Sequence, residues 1–423
     1  MGAHMRGRSW ASVIIVVASA LAALEVPVWS QLSWDRDAWR IRAADARLEH
    51  HMGRDALFLE SGTAWMDGAS FVDGVIEFDM ATSGAQGFHG VRFRASDDGN
   101  HEHIYVRPHL SGKPDAAQYN PVYNGVSSWQ IFADARYVQP LVIPSDRWVH
   151  VRVGVRGRRA EVSLDGGEPI VFPHLIREPT AGPVGVDSSG APAWFANVQV
   201  RPGVDPGFTG GDGAPAPAAP VGSVTRWRVS DAFAESDVDG VAELPDTIAD
   251  HQHWTVVNAE DQGITNLAKA RTRTQAANTV FAAVTLHSDG ARTVPVSLGF
   301  SDRVRVFLNG RQLFAGADEY ASRDYRFLGT VGLFDTVFLP LEDGENELWL
   351  AVSEDFGGWG VALQIGAQPG VEVKEVREAY LRPRPELGPG HTIVTVLCDR
   401  GERYLSLRRE EGADAAIAAE SRS

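Results

Sequence analysis

Trp148–Arg156 reads WVHVRVGVR, and its alternation decides the fold. Val149, Val151, Val153 and Val155 fall on one side of an extended chain, with His150, Arg152 and Arg156 on the other. A half-buried strand has that period of two, and an amphipathic helix does not. Upstream the pattern recurs three times. Ile76, Phe78 and Met80 alternate with Val75, Glu77 and Asp79; Val91 and Phe93 alternate with Arg92 and Arg94; Ile104 and Val106 alternate with His103, Tyr105 and Arg107. Asp97-Asp98-Gly99-Asn100 and Asp165-Gly166-Gly167 are turn signals between such runs. Downstream, Thr279–Leu286, Val294–Leu298, Arg303–Leu308, Glu347–Val352 and Val361–Ile365 are strand-like, and Asn309-Gly310 marks a two-residue hairpin. Asn266–Ala276 is the best helix candidate. The expected class is all-β, with two antiparallel β-sandwich (jelly-roll) domains joined by a Pro/Gly/Ala-rich linker.

The linker is Pro202–Val224 (PGVDPGFTGGDGAPAPAAPVGSV), a composition that buries no core. It divides a chain of 423 residues, too long for one ordinary core. The expected boundaries are a leader at 1–30, a sandwich at 31–201, the linker at 202–224, a second sandwich at 225–370 and a tail at 371–423. The leader joins basic Met5-Arg6-Gly7-Arg8 to an apolar run, Ala11–Leu24, and predicts cleavage so that the chain begins near Gln31. That run is short of the ~20 residues a membrane-spanning helix needs. An uncleaved anchor is the alternative; export to the periplasm or beyond, without stable membrane insertion, is the expectation. The net charge of −16 disfavours nucleic acid as a partner. A single cysteine, Cys398, excludes an intrachain disulfide and any multi-cysteine metal site.

Several segments carry a family likeness. Ser70–Phe78, Gly90–Arg94, Trp148–Val153, Ala160–Asp165, Gly185-Val186 and Ala193–Val200 together resemble the concanavalin A-like lectin/glucanase superfamily, near its laminin-G-like and 3-keto-disaccharide hydrolase-type domains. Gly299–Asp302, Val306–Arg311, Gly344–Leu348 and Ser353–Gly360 resemble the galactose-binding-like jelly roll. These resemblances imply two sandwiches and recognition of a glycan or small saccharide by the first. A glycoside or keto-sugar hydrolase is one alternative, and a structural or adhesive envelope protein without a sugar site is another. His391–Ser406 (HTIVTVLCDRGERYLS) is similar to the last segment of cysteine synthase. The lysine-bearing cofactor segment and glycine-rich phosphate loop of that enzyme have no counterpart, so pyridoxal phosphate is not expected.

Family-16-type glucanases resemble the first half and carry an E-x-D-x-x-E strand. Here Glu77-Phe78-Asp79-Met80-Ala81-Thr82 places Thr82 where the third acid belongs, and a threonine cannot protonate a leaving group. Glu77 and Asp79 are therefore expected to pair with Arg92 and Arg94. Glu77, His103 and His109 remain the catalytic candidates. Sugars are bound by flat aromatic faces and by planar amide, carboxylate and guanidinium groups, which crowd Tyr105–Ile131 (YVRPHLSGKPDAAQYNPVYNGVSSWQI). The candidate ligand-binding residues are Arg92, Arg94, Tyr105, Arg107, Gln118, Tyr119, Asn120, Asn124, Trp129 and Gln130. Trp129 and Tyr119 are expected to supply the stacking surface. The alternative is a structural loop whose aromatics fill a core and whose amides brace turns. Asp97, Asp98 and Asn100 could hold calcium. His101-Glu102-His103 offers zinc two imidazoles without a third ligand. No cofactor is otherwise expected, and Trp359 is an alternative aromatic site in the second half.

Overall fold

The computed structural model describes residues 39–208, 218–245, 248, 252–260, 262–324 and 327–374, and the backbone of 393–397 and 403–407. The leader, its cleavage position and most of the tail lie outside the described residues. The valines of Trp148–Arg156 are buried and His150 is exposed, so this strand turns its apolar side inward as its period dictates.

The first half contains β1 (Arg40–His51), β2 (Arg54–Phe71), β3 (Gly74–Thr82), β4 (Gly87–Asp97), β5 (Asn100–Val106), β6 (Ala117–Tyr123), β7 (Val126–Ser127) and β8 (Val138–Gln139). They are followed by β9 (Trp148–Arg156), β10 (Arg159–Leu164), β11 (Ile170–Phe172), β12 (Gly182–Gly190) and β13 (Ala193–Pro202). The main path of the sheet runs β11-β10-β9-β3-β13-β2-β12-β4-β5-β6-β7. Every pairing in it is antiparallel. The long strand β2 meets β13 near one end and β12 further along, and there the sheet curls over on itself. Phe78 and Met80 of β3, Val151 and Val153 of β9 and Val162 of β10 close on Val91 of β4 and Ile104 and Val106 of β5. The void left between these layers is only about 10 Å³.

The second half contains β14 (Arg226–Val229), β15 (Thr255–Asn258), β16 (Thr265–Asn266), β17 (Thr279–Ser288), β18 (Arg292–Ser301), β19 (Arg303–Leu308) and β20 (Arg311–Ala317). β21 (Asp335–Leu341), β22 (Gly344–Ser353), β23 (Gly360–Ile365) and β24 (Val371–Val373) complete it. One sheet runs β15-β14-β17-β22-β19-β20 with β24 beside β17, and the other runs β16-β23-β18-β21. Buried Val, Leu, Trp and Phe side chains fill the space between them. Asn309 and Gly310 both take positive φ in the β19–β20 turn, as an Asn-Gly hairpin requires. The helix expected over Asn266–Ala276 reduces to a 3-10 turn, Leu267–Lys269, capped by the Asn266 side chain. β-branched Thr272 and Thr274 weaken a helix there, and Thr265 and Asn266 are drawn into pairing with β23. In the tail, Ile393–Leu397 pairs with Arg403–Leu407 as an antiparallel hairpin.

The two halves meet along a seam. Gln130 donates through Nε2 to the Leu328 carbonyl at 2.8 Å and accepts from Ser301 Oγ at 2.9 Å. Its backbone N–H donates to the Gly357 carbonyl and its carbonyl accepts from Val331. Asn124 donates to Ala268, Asn266 to Ser128 and Gln262 to Ile131. Gly357 has φ +109°, and a Cβ there would sit 2.2 Å from the Gln130 side chain, so only glycine fits. Val331 and Ala362 pack into the first half's core and Val126 into the second's.

Candidate functional site

Four neighbouring strands assemble one polar face, whose side chains are mostly buried: Asp187 and Gln118 almost wholly, His103, Tyr105 and Arg107 nearly so. Registry places Gly185, Arg92, His103 and Asn120 in one row across β12, β4, β5 and β6, and Asp187, Gly90, Tyr105 and Gln118 in the next. Rows two residues apart share a face, which here is opposite Val91, Ile104 and Val186. β12 and β5 flank β4, so about 9–10 Å separates them. Gly90 contributes no side chain in that gap. His103 Nε2 approaches Asp187 Oδ1 to 2.9 Å across it, and Arg92 donates to Asp187 Oδ2 at 3.3 Å. A Cβ on Gly90 would lie 2.1 Å from the Ile104 carbonyl oxygen, so any larger residue forces β4 away from β5.

A second hydrogen-bonded group adjoins the first along β5. The His103 and Tyr105 rings lie 4.9 Å apart. Tyr105 Oη donates to Gln118 Oε1 at 2.9 Å and accepts from Arg107 at 3.0 Å; Arg107 also donates to Gln118 Oε1. Gln118 Nε2 is held by the Trp129 and Phe132 carbonyls, which fixes the amide orientation. Phe88 stands edge-on to both Tyr105 and His109, with the Arg107 guanidinium 5.7 Å from its ring centre.

The charges on this face are tuned by burial and neighbours. Burial pushes the Asp187 carboxyl up, but the His103 and Arg92 charges and hydrogen bonds outweigh it and hold the group ionised, well below the usual range. Burial pushes the Tyr105 hydroxyl up to about 12. Burial first, and then the Arg107 charge, lower His109. Burial, reinforced by Arg92 and His103, drives His101 well below its ordinary value. Tyr105 is therefore a neutral hydroxyl and Asp187 a fixed carboxylate, both held beneath the surface by their neighbours.

Of the expected residues, the fold brings Arg92, His103, Tyr105, Arg107 and Gln118 together, with His109 at the margin. It sends the others elsewhere. Arg94 has φ 52° at a register shift in β4, which reverses the alternation; it is fully buried, donates to Val72, Gly157 and Asp73, and lies 3.9 Å from Glu102. Tyr119 is not a stacking surface: it is wholly buried between the layers, donating to Glu102 at 2.6 Å and accepting from the Ile176 N–H. Asn120 is buried and braces Ser127 and Ser128. Asn124, Gln130 and half-buried Trp129 belong to the seam, Trp129 meeting Phe356 edge-on at 5.8 Å.

Glu77 and Asp79 do not pair with Arg92 and Arg94, because β3 lies between β9 and β13 in the other layer. Glu77 faces Arg201, Arg152 and His150, and Asp79 faces Arg54, His150 and Asn197. Asp98 is engaged by Arg40 and Arg42, while Asp97 closes its own turn onto Gly99 and Asn100. Among the described residues no three His, Cys, Asp or Glu side chains are grouped to hold a metal. Trp359 is fully buried with its indole N–H on the Val352 carbonyl, and Phe356 is the exposed aromatic of that loop.

Asp187 escaped sequence reasoning. The only hint is a lone acid after Gly185-Val186, where alternation sets it opposite the valine. A cleft of about 490 Å³ elsewhere, by Ser223, Ile365 and Gln368, is lined by no charged side chain. Among the described residues no helix is long and apolar enough to cross a membrane.

No family model matches the chain, and no curated protein matches it. Solved structures similar to part of it include a carbohydrate-binding module, CBM66, from Bacillus subtilis, at 18% identity over 38% of this chain and 93% of that one, TM-score 0.29. A Bacillus subtilis protein of unknown function with a galectin-like fold matches at 14% identity over 41% and 94%, TM-score 0.31. A Bacillus licheniformis beta-glucanase matches at 10% identity over 40% and 93%, TM-score 0.29.

Proposed function

We propose that this chain is an exported carbohydrate-binding protein whose first sandwich recognises a saccharide on the β12-β4-β5-β6 face. The observation that supports this reading is a pair of adjoining hydrogen-bonded groups, Arg92–Asp187–His103 and Tyr105–Gln118–Arg107, which meet where the His103 and Tyr105 rings lie 4.9 Å apart and are bordered by the Phe88 ring. Donors and acceptors held at fixed spacing suit the hydroxyls of a sugar ring, and an adjacent aromatic suits its C–H surface. Binding is favoured over hydrolysis at Glu77, because a hydrolase there would need that carboxylate beside His103 and Arg107. Glu77 instead projects from the other layer toward Arg201.

The test is a glycan-array screen of the mature protein, followed by titration calorimetry of the best glycan with Arg92→Ala. Arg92 keeps about a quarter of its side chain exposed, its removal leaves His103 on Asp187, and circular dichroism checks that the variant is folded before its binding is compared. Affinity should fall by roughly thirtyfold, the effect of removing a central anchor worth about 2 kcal/mol. A folded variant that binds as tightly as wild type would move the site off this face.

A further inference from the structure

Three arginines are buried among the described residues: Arg94, Arg107 and Arg159. Arg94 has Asp73 and Glu102, and Arg159 has Glu161. Arg107, 8% exposed, forms no ion pair among the described residues. Its partners are neutral: the Tyr105 hydroxyl, the Gln118 amide oxygen and the backbone carbonyl of Asp115 at 2.6 Å. Asp115 thus supplies its carbonyl, and its carboxylate pairs with no cation among the described residues. Three bonds leave two of the five guanidinium N–H donors uncommitted. Desolvating a cation without an anion is costly, and proteins ordinarily pair such a charge. Beside it, the one fixed carboxylate of the face, Asp187, is already matched by Arg92 and His103. Arg107 is therefore a buried guanidinium without an ion pair among the described residues, the Asp115 carboxylate acting only at a distance on its neighbours Tyr105 and His109, on a chain whose net charge is −16.

We propose that Arg107 receives the carboxylate of an acidic saccharide, so that the ligand of this face is a uronic acid-bearing glycan. The inference rests on the saccharide reading above and narrows its ligand class. The sugar carboxylate would occupy the side of the guanidinium not held by Asp115, Tyr105 and Gln118, with Phe88 and His109 bordering the ring. Charge-assisted bonds of a guanidinium to a carboxylate are stronger than its bonds to neutral acceptors, which gives the site a basis for choosing acid over neutral sugar.

The experiment titrates the full-length mature protein with an alginate hexasaccharide, an oligogalacturonate and the carboxyl-reduced form of each, at low and high salt. The expected result is tighter binding of at least one acidic oligomer than of its reduced form, on the order of tenfold or more, weakening with salt. Arg107→Gln should erase that preference while retaining residual neutral binding. Equal binding of acidic and reduced oligomers by the wild-type protein overturns the inference and leaves the saccharide reading standing. This comparison needs no variant, so a misfolded Arg107→Gln does not spoil it. Binding of neutral glycans alone from the array likewise overturns it. No binding to any glycan, acidic or neutral, overturns both.

Discussion

At the scale of single residues, buried carboxylates give the chain a pH dependence that the surface charge does not. Glu354 is almost wholly buried; its Oε1 accepts from the Gly358 N–H, and its Oε2 has no partner in the structure. Burial, and then the charge of nearby Asp302, push its carboxyl from an ordinary 4.5 up to about 8. The folded state therefore holds this proton where the unfolded chain has released it. Its contribution to stability is fully present below about pH 4.5 and is lost as pH rises through about 8. Glu354→Gln keeps an oxygen for Gly358 and removes the ionisation. Its melting temperature should exceed that of the parent at pH 9 and approach it at pH 4, measured by calorimetry. A gap that widens toward acid would contradict the assignment. Asp187 differs in its neighbours: it is as buried, but Arg92 and His103 face it and hydrogen-bond it, so it is held ionised.

At the scale of elements, the site depends on how β4 sits between β12 and β5. Its apolar side was legible as the alternation of Val91 and Phe93, and that side indeed packs inward. Arg94 broke the pattern because one register shift after Phe93 turns a residue over, and alternation cannot announce a bulge. Gly90 is the other decisive position on this strand. Gly90→Ala should destabilise the chain by about 1–3 kcal/mol, since the added methyl meets β5 backbone and not a yielding side chain. It should also weaken glycan binding by separating Asp187 from His103. Gly68→Ala, where a Cβ meets nothing within 4 Å, serves as control and should change stability by no more than about 0.5 kcal/mol. Chemical denaturation of both variants tests the contrast; equal effects would refute it.

At the scale of the whole molecule, Gln130 joins the halves through both ends of its amide and through its backbone. Gln130→Ala leaves the Leu328 carbonyl and the Ser301 hydroxyl without their partner, at a cost of about 1–3 kcal/mol. Calorimetry of the parent should show the halves melting in one transition, and the variant should lower or split it. Two well-separated transitions in the parent would mean that the seam contributes little. The residue read as a sugar contact is thus expected to act on stability, and the polar face is expected to remain intact.

The residues' own order was enough for the class of structure and for the apolar side of the regularly alternating strands. Period-two burial is local, and Val149–Val155 shows it; Ile76–Met80 and Ile104–Val106 also turn inward, although their strands are buried on the polar side as well. The same order also set His103, Tyr105 and Arg107 on the side opposite Ile104 and Val106, and Arg92 opposite Val91, although His103, Tyr105 and Arg107 are buried there. Only the tertiary structure decided which strands are neighbours, because pairing depends on contacts between residues far apart in the chain. That is why Asp187, 84 residues from His103, joined the site unseen. It is also why Glu77 left for the other layer. Tyr119 went to the core because a strand beside a curling sheet buries one of its faces between the layers, and Trp129 and Gln130 went to the seam because a second half docks there. None of these partners is written near the residue that meets it.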